Sequence, residues 1–118
     1  MKLATIYESL DSHMPDASQH FRFGDCTNEV LRVVIRALDS GFRDFTVVEG
    51  MVGLDDKDVE IPHAWIELRD GSIRDPTASQ FKGFKIQYSP QGAFREEFSA
   101  EEYPEHHEFT YGVGPSDI

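Results

Sequence analysis

Three side chains in this sequence could do covalent chemistry together: the thiol of Cys26, the imidazole of His63 and the carboxylate of Asp75. In that order they supply a nucleophile, its base and a group that orients the base. Thiolates rather than thiols attack carbonyl carbons, and a paired histidine is one of few ways to hold a thiolate near neutral pH. Cys26 is the sole cysteine, so no internal disulfide can claim it. The pattern points to acyl transfer through a thioester.

The elements that must position these residues follow from hydrophobic periodicity. Val30, Leu31, Val34, Ile35 and Leu38 form one broad apolar helix face. Asp25 or Thr27 can cap its start, Glu29 suits the positive end of the dipole, and Gly41 can close it. Cys26 thus falls at or just before a helix N-terminus, where unpaired N–H groups favour a thiolate. Residues 2–10 also read as a short helix, and residues 11–20, which contain Pro15, as a loop.

Beyond Gly41 the period changes to two. Strands are predicted over 45–52, 63–68, 72–75 and 84–88, with an acidic turn over 55–60. Residues 94–103 read as a short helix or irregular chain, and 108–113 as a last edge strand. A helix followed by mostly sequential strands predicts an α+β fold, the cysteine helix packed on an antiparallel sheet.

Alternation on residues 63–68 puts His63, Trp65 and Glu67 on one face and Ala64, Ile66 and Leu68 on the other, core-facing side. Whether Asp75 reaches the His63 face depends on hairpin register. A two-residue Asp70-Gly71 loop pairs Leu68 with Ile73 and leaves Asp75 on the wrong face. A three-residue Arg69-Asp70-Gly71 loop pairs Trp65 with Asp75, diagonal to the imidazole. Hydrophobic matching favours the first register and catalysis demands the second, which we adopt.

Gly24-Asp25-Cys26 opening a helix, then His63-Ala64-Trp65-Ile66-Glu67, then Asp75-Pro76-Thr77, resembles the transglutaminase-like superfamily, relatives of papain-like cysteine proteases. The resemblance covers residues 24–77 of what is expected to be a single domain over 1–118, leaving 78–118 as additional strands or a lid. It implies Cys26 as nucleophile, His63 as base and acid, and Asp75 as orienter of His63. Family members often carry an aromatic residue beside the nucleophile, whereas Asp25 and Thr27 stand there. The backbone N–H of Cys26 is a natural first oxyanion donor, and Gln19 or His20 a candidate second, Gln19 being chemically the better. Trp65 is expected to pack against the sheet or the site rim, and is a candidate for substrate contact. Glu67 is expected to pair with Arg69 or Arg74.

Composition sets the surroundings. Acidic residues number 22 against 11 basic ones, for a net charge of -11, which opposes nucleic-acid and anionic-membrane binding. The charge suits solubility, or steering of a cationic substrate or basic protein partner. No signal-peptide run or membrane span is evident, so a cytoplasmic protein, of a cell or, if phage-encoded, of its host, is expected. His106-His107, read as extended, would point to opposite faces, and no Cys-x-x-Cys or His-Glu-x-x-His occurs, so neither a metal nor another cofactor is expected. The expected activity is a thiol peptidase or amidase acting on a peptide or protein. The alternatives are a transglutaminase or deamidase acting on glutamine, and an inactive acidic binding module such as an adaptor or phage-type inhibitor. Amine incorporation separates the first two; neutralising the acidic run from Glu96 to Glu108 tests the third.

Overall fold

A computed structural model describes residues 10–15, 25–55 and 59–118. The expected helix is present as α1, Cys26–Asp39, burying Val30, Leu31, Val33, Val34 and Ala37. Gly41 closes it, donating its N–H to the Leu38 carbonyl at 2.9 Å. The start differs from expectation. Asp25 is the N-cap residue but its side chain makes no capping bond, its backbone being already helical at φ -77° and ψ -15°; Thr27 lies inside the helix. An extended N-cap is what lets a carboxylate reach back to the first amides, and this backbone forbids it.

Five strands follow: β1 (Phe45–Leu54), β2 (Glu60–Leu68), β3 (Ile73–Arg74), β4 (Ile86–Tyr88) and β5 (Arg95–Ser99). They form one antiparallel sheet in the order β3-β2-β1-β4, with β5 also on β1. One edge of β1 pairs with β2 along its length. Its other edge is shared, β5 covering residues 46–50 and β4 covering 52–54. A second helix, α2 (Tyr103–Tyr111), ends at Gly112 in the left-handed conformation. The fold is therefore α+β, with two helices among the described residues and an antiparallel sheet.

Two expectations fail in the C-terminal third. Residues 94–103 contribute a strand because the open edge of β1 leaves backbone groups that Arg95–Ser99 can satisfy. Local propensity, poor in so acidic a segment, is overridden by that pairing. Residues 108–113 are mostly helical rather than an edge strand. Phe109, Tyr111 and Val113 alternate, but the buried anchors are Tyr103 and His107, four apart and on one helix face, while Phe109 is 92% exposed. The short helix expected over residues 2–10 lies almost wholly outside the described residues; only Leu10 is placed, fully buried in the core.

The sheet separates two apolar clusters. Ala64, Ile66 and Leu68 pack with Val47 and the buried face of α1, whereas Trp65, Val48, Val52 and Phe81 pack on the other side. This is the alternation the β2 sequence predicts. Gly50 sits opposite His63 in the β1–β2 ladder. A Cβ there would lie 3.0 Å from the Phe94 carbonyl oxygen and 3.2 Å from Cη2 of Trp65. Gly50→Ala is therefore expected to cost about 1–3 kcal/mol through overpacking, about 4–12 °C of Tm by scanning calorimetry.

Candidate active site

The Asp75 register decides the site. Ile66 pairs with Arg74 and Glu67 with Ile73. The ladder closes at Leu68 and Ser72, the Leu68 N–H donating to the Ser72 carbonyl at 2.9 Å. Arg69-Asp70-Gly71 is thus a three-residue loop, with Gly71 at φ +86°, a conformation that favours glycine. Asp75 consequently lies on the His63 side of the sheet. Nε2 of His63 and Oδ2 of Asp75 are 2.7 Å apart, and both side chains are 2% exposed.

Three further donors converge on the same carboxylate. The Tyr88 hydroxyl donates to Oδ2 at 2.7 Å, and the Thr77 N–H and hydroxyl donate to Oδ1 at 3.0 and 3.3 Å. Burial pushes the Tyr88 phenol up, and the charge and hydrogen bonding of Asp75 push it further, so it stays a donor. Nothing in the sequence around Tyr88 marks it as part of this site. Its strand, β4, lies two strands away from the His63 hairpin, and no local pattern reveals that its side chain crosses to Asp75.

Cys26 is the first residue of α1 and is 8% exposed. Burial alone would lower the imidazole of His63, but the hydrogen bonds and charges of Asp75 and Cys26 outweigh it and raise His63 to about 9. With Nε2 committed to Asp75, Nδ1 is the nitrogen left for the thiol. Cys26 and His63 share a cavity of about 550 Å³, walled also by Glu49, Met51, Pro62 and Phe94.

The raised imidazole carries a stability consequence. Its folded value of about 9 exceeds the unfolded 6.5, so its contribution is complete below pH 6.5 and disappears as pH rises through about 9. Thermal melts should show wild-type Tm falling by several degrees more than that of His63→Gln between pH 6 and 9.5.

Trp65 is fully buried in the cluster with Val48, Val52 and Phe81 and does not line the cavity beside Cys26. Its ring lies 6.1 Å from that of His63 and stacks on it, while Phe81 meets the imidazole edge-on at 4.8 Å. The indole Nε1 donates to Glu67 Oε2 at 3.0 Å. Glu67 pairs with Arg95 on β5, not with Arg69 or Arg74. Two guanidinium nitrogens reach its two oxygens at 2.8 and 2.6 Å. Arg69 instead pairs with Asp44, and Arg74 with Asp11. Gly50 lies between Arg95 and His63 in the ladder, and its missing side chain leaves room for the Trp65 ring. Gln19 and His20, the candidate oxyanion side chains, and Gly24 lie outside the described residues.

The adjacent histidines are helical, which corrects the extended reading of that segment. His106 meets Glu49 at 3.1 Å, and Nδ1 of His107 lies 2.7 Å from the Val113 carbonyl oxygen. Among the described residues no group of three or more His, Cys, Asp or Glu is arranged to hold a metal ion. None of their helices is long and apolar enough to cross a membrane.

What the arrangement can do chemically is bounded. A thiol at a helix start, a buried imidazole tied to a carboxylate and an adjoining cavity can form and resolve an acyl-sulfur bond. Comparison of the chain with protein-family models, with curated proteins and with solved structures finds no match.

Proposed function

We propose that this protein is a cysteine hydrolase of peptide or glutamine-type amides, a small member of the transglutaminase-like superfamily. The observation that carries the reading is the hydrogen bond from buried His63 to Asp75, with Cys26 interacting with the same imidazole and lining the same cavity. An imidazole near 9 is protonated at neutral pH, the state that pairs with a thiolate and later protonates an amine.

In the first half-reaction Cys26 Sγ bonds to the substrate carbonyl carbon, and the Cys26 backbone N–H at the helix start faces the developing oxyanion. The carbon–nitrogen bond then breaks, and His63 gives its proton to the departing amine. In the second, water attacks the thioester, His63 accepts a proton from it, and Cys26 leaves as the thiolate. Asp75 holds the ring in one tautomer throughout and balances its charge. The chemistry needs no cofactor.

Incubation with a mixture of peptide amides, read by mass spectrometry for cleavage and for an acyl adduct on Cys26, tests the reading. Wild type should turn over at least one amide, and Cys26→Ala should lose more than about a thousandfold of that rate while keeping its melting curve. Undiminished turnover by Cys26→Ala would refute it. A trapped adduct that releases to an added amine faster than to water would redirect the assignment to transamidation.

A further inference from the structure

We infer that the cavity beside Cys26 selects substrates carrying an ammonium or guanidinium group on an aliphatic stem next to the scissile amide, with Glu49 as the recognising carboxylate. The inference rests on the hydrolase reading above and adds the substrate class.

Glu49 is on β1, its side chain 13% exposed, and it lines the same cavity as Cys26 and His63. Two phenols and an imidazole hold it in place. The Tyr103 hydroxyl donates to Oε2 at 2.8 Å, the Tyr111 hydroxyl donates to Oε1 at 2.9 Å, and Nε2 of His106 lies 3.1 Å from Oε1. A carboxylate offers about four lone-pair sites, so three such contacts orient it without exhausting it. Besides Thr27, Tyr111 and the Cys26–His63 pair, the cavity wall is apolar, with Met51, Pro62 and Phe94, the last 64% exposed. An anionic end and apolar sides fit an alkyl chain ending in a cation.

The carboxylate and the nucleophile also share one electrostatic neighbourhood. Burial pushes the Tyr103 and Tyr111 phenols up, Glu49 pushes them further, and Cys26 adds to both. A carboxylate in the cavity where the tetrahedral oxygen develops opposes that negative charge. A substrate that brings its own cation removes that opposition as it binds. Selection should then appear in kcat as well as KM. The net charge of -11 works in the same direction by steering cations towards the surface.

Cys26 is the only thiol, so charge selectivity can be read without turnover. The rates of disulfide formation with 2-aminoethyl and 2-sulfonatoethyl methanethiosulfonate would be compared in wild type, Glu49→Gln and Asp39→Asn. Asp39, exposed at the far end of α1, changes net charge equally without touching the cavity. The cationic-to-anionic rate ratio should fall about fivefold or more in Glu49→Gln and less than about twofold in Asp39→Asn. Equal falls, or an unchanged ratio in Glu49→Gln, overturn the inference. Should Glu49→Gln fail to fold, the wild type decides: n-butylammonium should slow iodoacetamide labelling of Cys26 more than butyrate does, and equal protection overturns the inference. Charge selectivity retained while His63→Ala labels as fast as wild type supports the cation site and rejects the hydrolase reading alone.

Discussion

Replacing Asp75 by asparagine is expected to lower amide turnover by about two to four orders of magnitude with little change in substrate KM. The loss should come from the ring of His63. Asp75 hydrogen-bonds Nε2 and its charge raises the imidazole. An amide accepts less strongly, carries no charge, and can present its NH2 to the ring and so favour the wrong tautomer. The pH profile separates this from simple damage. In wild type the alkaline limb should lie near pH 9, where His63 loses the proton it must deliver. In Asp75→Asn that limb should move down towards 6.5, the ordinary imidazole value. Turnover of Asp75→Asn within threefold of wild type, with the limb unmoved, would mean that the carboxylate only supports structure.

Trp65→Ala should be the most damaging single change to stability. The indole is fully buried in the cluster with Val48, Val52 and Phe81, and Tyr88 meets it edge-on at 5.1 Å. Truncating a buried aromatic to alanine costs about 3–5 kcal/mol, about 12–20 °C of Tm for a chain of this size. Activity at low temperature should fall as well, because the indole stacks on His63 and Tyr88 runs from its ring to Asp75. Trp65→Phe keeps most of the packing and loses the bond to Glu67. It should cost about 1 kcal/mol and leave the His63 dependence of Cys26 labelling intact. Calorimetry checks both, and a Trp65→Ala melt within 3 °C of wild type would show that the second cluster does not hold the sheet.

The parts of the site visible in the sequence are those fixed by local patterns. Cys26 at the start of an amphipathic helix follows from the spacing of Val30, Leu31 and Val34, and the split of His63 from Ala64 follows from strand alternation. The hairpin register was harder. Apolar matching would align Leu68 with Ile73, yet Ile73 is only partly buried, so the match has little weight. Gly71 and the loop geometry prevail. Hidden from the sequence was whatever depends on which strands become neighbours. Glu67 finds Arg95, and Tyr88 finds Asp75, across distances of 28 and 13 residues. The Glu49 contacts were hidden twice over. They need α2 to be a helix, and residues 108–113 alternate like a strand; the buried pair Tyr103 and His107 decides otherwise.

The central claim is that Cys26 and His63 act as a charged pair. Its most direct test is the rate of Cys26 labelling by iodoacetamide at pH 6.5, in wild type and in His63→Ala. A thiolate–imidazolium pair gives rapid labelling in wild type and a fall of about tenfold or more without the imidazole. Equal rates in the two proteins, with each speeding up only as the solution becomes alkaline, would contradict the pair and with it the enzyme.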